Sequence, residues 1–151
     1  MRYGRAMTDK QRTLVLLKPD AVKRHLIGEI IGRYESRGLK VRAIQMRTID
    51  TDLARAHYAE HVGREYYQDL EDFITSGPLV AMVLEGRKAI QVVRATNGKT
   101  DCADAEPGTI RGDFGTQKRR NLVHASDSPE SAAREIGLWF PDLLEQEAEA
   151  A

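Results

Sequence analysis

His124 is the residue of this chain whose chemistry poses the sharpest question. It ends a short run, Asn121-Leu122-Val123-His124, that leads into the polar turn Ser126-Asp127-Ser128. A lone histidine in such a run is most often a core side chain with satisfied nitrogens. Imidazole is also a good phosphoryl acceptor near neutral pH, where it is largely unprotonated and nucleophilic. For that task it needs a partner for its second nitrogen and cations around the phosphates. Glu135, a few residues on, is a candidate partner, and Lys18, Arg94 and Arg111 are candidate cations. Residue types alone leave both readings open.

Three other motifs invite chemistry. Asn97-Gly98-Lys99-Thr100 ends like a phosphate-binding P-loop, but Val93 stands where the first glycine belongs. The stretch also follows a predicted helix, whereas a P-loop follows a strand, so a turn carrying a lysine is the better reading. His57-Tyr58-Ala59-Glu60-His61 matches the His-x-x-Glu-His zinc pattern. Its two histidines share a helix face, yet no third ligand is evident, and a solvated face accounts for them more simply. Lys118-Arg119-Arg120 fits a phosphate-facing role and a solvated turn equally well.

These residues must be held by a scaffold that the apolar pattern outlines. Leu14-Val15-Leu16-Leu17 reads as a buried strand broken by Pro19. Ile27, Ile30, Ile31 and Tyr34 follow at helical spacing, with Gly38 where a helix-ending glycine belongs. Residues 39–49 read as a second strand, and Asp50 can cap a helix reaching about His61. A further helix presents Tyr66, Leu70, Phe73 and Ile74 on one face and stops at Ser76-Gly77-Pro78. Residues 79–84 form a third strand and residues 88–95 a helix. Residues 96–115 lose periodicity and read as a long functional or disordered loop. Residues 121–125 make a short fourth strand. Ser128-Pro129-Glu130 starts a helix lined by Ala132, Ala133, Ile136 and Phe140, which Pro141 ends. The acidic tail, residues 145–151, need not be ordered. Four strands with at least two packing helices predict an α+β sandwich of the split βαβ type.

Bulk composition narrows the function classes. The 151 residues suit one domain, and 41% apolar with 30% charged content is that of a globular protein. Lys plus Arg and Asp plus Glu are each 23, so nucleic-acid binding is disfavoured and self-association is little opposed by charge. A single cysteine, Cys102, rules out an internal disulfide. No apolar stretch approaches membrane-spanning length, and nothing after Arg2 and Arg5 looks like a signal peptide, so the cytosol is the expected compartment.

Four stretches, in order and in register, resemble the nucleoside diphosphate kinases. They are Leu17-Lys18-Pro19-Asp20, residues 74–78 (Ile-Thr-Ser-Gly-Pro), residues 107–114 (Pro-Gly-Thr-Ile-Arg-Gly-Asp-Phe) and residues 121–128. The resemblance runs from about Arg12 to Phe140. It implies a ferredoxin-like βαββαβ fold, a four-stranded antiparallel sheet with helices packed on one face. Domain boundaries follow: an N-terminal extension at 1–11, loosely held, one domain at 12–144 and an acidic tail at 145–151. It also implies a homo-oligomer, usually a hexamer with a tetramer as the alternative, and two-step exchange between nucleoside tri- and diphosphates with Mg²⁺ bound through the nucleotide phosphates.

By matching positions, the resemblance makes His124 the phosphorylated histidine and Glu135 its orienting carboxylate. Lys18 and Asn121 match residues that hold the sugar hydroxyl and phosphates. Tyr58, Arg94, Thr100 and Arg111 match the phosphate end, and Ser126 a serine beside the histidine. Tyr66 and Lys118 match the positions against the two faces of the base. A phosphate-facing Arg111 predicts that Arg111→Ala abolishes transfer with the fold intact. Three departures stand out: Ala125 where the family has glycine, Lys118 where it has an apolar residue, and Cys102 where proline is common in a subunit-contact loop. If that glycine needs a conformation closed to Cβ-bearing residues, Ala125 shifts His124 and slows transfer.

Overall fold

The computed structural model describes residues 9–151. Its centre is β1 (Lys10–Leu17), which starts inside the expected N-terminal extension; the remainder of that extension, residues 1–8, lies outside the described residues. The chain continues through α1 (Pro19–Lys23), α2 (Ile27–Ser36), β2 (Lys40–Arg47), α3 (Thr51–His57), α4 (Tyr67–Ile74) and β3 (Leu79–Arg87). It closes with α5 (Ala89–Asn97), α6 (Ile110–Phe114), β4 (Val123–Ala125), α7 (Pro129–Trp139) and α8 (Leu143–Ala150). The strands lie in the order β2-β3-β1-β4 with every neighbour antiparallel, which is the ferredoxin-like arrangement.

The unbroken apolar run of β1 follows from its central place. Val15 and Leu17 pack on one side with Ile30 and Tyr34 of α2 and Ala89 and Val93 of α5. Leu14 and Leu16 pack on the other with Ala54 of α3, Ile74 of α4 and Trp139 of α7. A strand covered on both faces has no polar alternation to show. The helices of the two split βαβ units, α2 and α5, therefore share one face as expected. The second face is covered as well, by α3, α4 and α7, an addition to the basic plan.

Several local signals act as read. The Asp50 side chain accepts from Leu53 N at 2.8 Å and starts α3. The Ser128 hydroxyl accepts from Ser131 N at 3.1 Å, with Pro129 at the first position of α7. Gly38 takes φ +83° after α2, a left-handed turn that costs glycine little.

Four expectations change. The helix from Asp50 does not run to His61: it ends at His57, and a separate 3₁₀ turn covers Ala59–His61. Helix α4 starts after Tyr66 and buries Tyr67 and Glu71 with Ile74; of the predicted face Ile74 is buried, while Tyr66, Leu70 and Phe73 are half-buried. The buried Glu71 carboxylate accepts from the Tyr67 hydroxyl at 3.0 Å and from Gln68 at 3.0 Å, so a satisfied acid occupies a position that an apolar period skips. The stretch 96–115 is not structureless. It holds a 3₁₀ turn (Cys102–Asp104) and α6, which Thr109 caps by accepting from Gly112 N. Gly112 marks close packing: a Cβ there would lie 2.0 Å from the Glu106 carbonyl oxygen.

The acidic tail is also folded, as α8. Glu147 accepts two hydrogen bonds from Arg12, at 2.8 and 2.7 Å, and Arg12 also donates to Glu85 at 2.9 Å. Burial pushes the Glu85 carboxyl up, but Lys10, Arg12 and Arg42 outweigh it and hold it at about 2. A shared cluster of charges thus anchors a tail that looked solvated in isolation.

Candidate functional site

Lys18, His124 and Glu135 meet in a cleft of about 380 Å³ at one end of the central strands. Lys18 follows β1 directly, and its backbone N–H donates to the Leu122 carbonyl at 2.8 Å, fixing the entry to β4. Leu122 is fully buried at φ +74°, a left-handed conformation uncommon for leucine. Its N–H donates to Asp20 Oδ2 at 3.1 Å, so α1 holds the backbone that aims Asn121 and His124. Strain held by its surroundings in this way is characteristic of functional sites.

His124 pairs with Leu16 across the sheet and leaves its side chain 24% exposed. Its Nε2 lies 2.5 Å from Glu135 Oε1 on α7, whose side chain is only 6% exposed. Burial, then the charges of Lys18, Arg111 and Arg94, push the His124 pKa well below the usual imidazole value. The ring is therefore neutral at pH 7 and donates Nε2–H to the carboxylate. Nδ1 keeps its lone pair, has no hydrogen-bond partner among the described residues and is not one of the buried unpartnered atoms. Ser126 does not line the cleft. It is buried behind Glu135, accepting from Leu14 N at 3.2 Å and donating to Glu135 Oε1 at 3.4 Å, which steadies the carboxylate.

Cations and their supports complete the wall. Lys18 Nζ donates to Asn121 Oδ1 at 2.9 Å, and Asn121 Nδ2 donates to the carbonyls of Thr100 and Lys118 at 3.0 and 2.8 Å. Burial and the Arg111 charge push Lys18 down to about 8. Arg111 is 9% exposed and donates to three backbone carbonyls, Asn121 at 3.1 Å, Gly98 at 2.9 Å and Val123 at 2.6 Å. This argues against the expectation that Arg111→Ala would leave the fold intact: the Gly98 and Val123 carbonyls would lose this donor, while that of Asn121 keeps the Val123 N–H at 2.9 Å. Arg94 and Arg134 also border the cleft, and Tyr58 keeps its phenol protonated because burial pushes it up to about 12.

Of the residues that the resemblance matched to the site, eight line this one cleft: Lys18, Tyr58, Arg94, Thr100, Arg111, Asn121, His124 and Glu135. Tyr66 and Lys118 are not among its lining residues. The Tyr66 hydroxyl is 2.6 Å from Nδ1 of His61, which does line it, and Lys118 is exposed in the segment before β4. Arg119 sets its guanidinium 5.9 Å from the centre of the Tyr66 ring, so that segment lies against Tyr66. Sequence reading missed His57 as a site residue and weighed it only with His61 as a zinc pair. The two do not converge. His57 Nδ1 accepts from Trp139 Nε1–H at 3.1 Å, while His61 turns to Tyr66. Among the described residues one trio of metal-capable side chains does converge, His57, His124 and Glu135, with ligand atoms within 4.8 Å. The bonds to Trp139 and between His124 and Glu135 already occupy it, and its nitrogen-rich set suits Mg²⁺ poorly.

Ala125 removes a concern. It pairs with Val15 within β4 and is absent from the residues with positive φ. Nothing here demands glycine. Ala125→Gly is expected to lower stability by about 0.5–1 kcal/mol, read from urea unfolding, as a glycine within a strand does. An increase in stability would show that alanine is strained there.

The family model described as nucleoside diphosphate kinase matches residues 11–144. The chain is 76% identical over 138 residues to a nucleoside diphosphate kinase of Cutibacterium acnes, covering 91% of this chain and 100% of that one. It is 63% identical over 132 residues to that of a Nocardioides species, covering 87% and 98%. Among solved structures, a halophilic nucleoside diphosphate kinase from Halobacterium salinarum in complex with CDP superposes with a TM-score of 0.85 at 48% identity. That match covers 88% of this chain and 89% of the other.

Proposed function

This chain belongs to the nucleoside diphosphate kinase family and transfers terminal phosphate between nucleotides, and we propose that it does so through a phosphate carried on Nδ1 of His124. The observation that carries the assignment is the pairing of His124 with a buried Glu135 at 2.5 Å, which leaves one nucleophilic nitrogen at a cleft bordered by Lys18, Arg94 and Arg111. In the first step the Nδ1 lone pair forms a bond to the γ-phosphorus, and the bond from that phosphorus to its bridging oxygen breaks, releasing a nucleoside diphosphate. A terminal oxygen of a second diphosphate then takes the phosphoryl group and restores the imidazole. Glu135 keeps Nε2 protonated throughout and balances the charge that builds on the ring.

The other side chains act by position and charge, which dominate phosphoryl transfer. Arg94 and Arg111 offer guanidinium charge to the phosphates, Thr100 and Tyr58 offer hydroxyl donors, and Lys18 with Asn121 holds the sugar and phosphates. Tyr66 and Lys118 frame the base, Lys118 through its methylene stem. Stacking of this kind accepts any base. Nucleotide phosphates rather than protein side chains would hold Mg²⁺, which would supply charge neutralisation on the triphosphate. A single domain and a cytoplasmic setting belong to the same proposal; β1 from Lys10 and α8 to Ala150 carry that domain beyond the expected 12–144. Among the described residues no helix is long and apolar enough to cross a membrane. Self-association, as a hexamer with a tetramer as the alternative, is supported by the edge strand β2, where Ile44 and Met46 are 52% and 56% exposed. Light scattering checks it: a mass six times that of the chain is expected, and a monomer would contradict it.

Initial rates with donor and acceptor both varied test the mechanism. Parallel double-reciprocal lines are expected, because the first product leaves before the second substrate binds. Intersecting lines would mean direct transfer between two bound nucleotides. Lys18 gives a pH prediction. Its charge is complete below about 8 and lost as pH rises through that value in the free protein. Binding a phosphate there above pH 8 must take up a proton, so KM is expected to rise with pH by up to about tenfold per unit. Lys18→Arg should flatten the rise, since guanidinium stays charged. A flat wild-type profile would show that Lys18 does not face the nucleotide.

A further inference from the structure

His57 is 5% exposed, yet it lines the cleft beside His124. Burying an imidazole costs free energy that an aliphatic side chain would not, so its place beside the nucleophile calls for an account. Aromatic neighbours hold it on several sides. Its ring centre is 4.6 Å from that of His124 at 79°, 5.5 Å from that of Trp139 at 84° and 4.8 Å from that of Tyr58 at 70°. Trp139 Nε1–H, which can only donate, gives its hydrogen to His57 Nδ1 at 3.1 Å. The proton of the neutral ring must then sit on Nε2. Both nitrogens of His57 are thereby spoken for, one by an accepted hydrogen bond and one by a proton. The backbone is pinned too: Arg134 on α7 donates to the His57 carbonyl at 3.0 Å, tying the end of α3 to the helix that carries Glu135.

We propose that His57 is a positioning residue for the transfer: locked by Trp139 in its Nε2–H tautomer, it braces the His124 ring against Glu135 and is itself withheld as a nucleophile. Two neutral imidazoles in one cationic cleft would otherwise compete for the phosphoryl group. Between these two rings, the tautomer lock leaves His124 Nδ1 as the available lone pair. Burial reinforces the lock by pushing the His57 pKa down to about 3, so the ring does not charge at neutral pH. Charging it would also set a second N–H against that of Trp139. The inference rests on His124 being the phosphate carrier.

Two variants and one spectrum test it. His57→Phe keeps a ring against His124 but removes both nitrogens; Trp139→Phe keeps an aromatic ring in the core and removes the N–H donor together with part of the indole. With γ-labelled ATP in single turnover, His57→Phe is expected to phosphorylate His124 about 10- to 100-fold more slowly, with nucleotide KM within about twofold. ¹⁵N spectra of the wild type should show His57 protonated at Nε2 only and His124 protonated at Nε2 only. In Trp139→Phe the His57 signal should become a mixture of tautomers. A merely structural residue would change stability without altering the tautomer of its neighbour. A wild-type rate in His57→Phe would overturn the proposal. So would a wild-type His57 protonated at Nδ1, a result that needs no variant to fold. Wild-type protein that takes no label at all would instead remove the phosphohistidine reading on which this one stands.

Discussion

Replacing His124 with glutamine is expected to reduce phosphate exchange on the order of 10⁴-fold or more while nucleotide affinity stays within about threefold. The side chain contributes no charge to the cleft at pH 7, because burial and three nearby cations keep its ring neutral. Its loss therefore leaves Lys18, Arg94 and Arg111 in place to bind phosphates. What disappears is the lone pair that forms the bond to phosphorus. Equilibrium binding of ADP and steady-state exchange, measured on the same preparation, separate the two effects. Retained exchange would mean that phosphate passes directly from one nucleotide to another, with His124 a bystander.

Replacing Arg111 with alanine is expected to damage both activity and fold, the second by about 3–5 kcal/mol. Its guanidinium donates to the carbonyls of Asn121, Gly98 and Val123, which belong to the approach to β4, the end of α5 and β4 itself. The Asn121 carbonyl keeps the Val123 N–H, so two acceptors lose this donor, each at a cost of about 1–3 kcal/mol and toward the strong end because the donor is charged. In a chain of this size that lowers the melting temperature by about 10 °C, taking about 2–4 °C per kcal/mol. Calorimetry reads this directly. A melting temperature within about a degree of wild type would show that water or neighbouring donors replace the guanidinium, and that Arg111 acts through charge on the substrate alone.

The contrast between these two residues shows what a sequence can disclose. His124 carries its chemistry in its own side chain, so its type and its company with Glu135 were enough to nominate it, and several motifs in register supplied the role. Arg111 was nominated for its charge, but its three backbone contacts depend on segments that only folding brings together. Local signals were legible wherever the cause was local: Asp50 and Ser128 as caps, and the apolar run of β1 as a central strand. Helix α8 was not legible because its anchor, Arg12, lies 135 residues away from Glu147. The glycines of residues 96–115 suggested a loose loop, whereas Gly112 is there to let two backbone segments approach. Ser126 was matched by position, but its action, like the whole part played by His57, was obscured for a related reason. Both act through another side chain, Glu135 in one case and His124 in the other, and no short motif records such a relation.

A phosphoryl group that resides on Nδ1 of His124 between two nucleotides must leave the protein itself labelled. Protein incubated with γ-labelled ATP and Mg²⁺, then freed of nucleotide, should carry label that is stable in alkali and lost in acid. Peptide mapping should place it on His124, and added ADP should remove it as ATP. Label absent from the protein, or found unchanged in His124→Ala, would contradict the account.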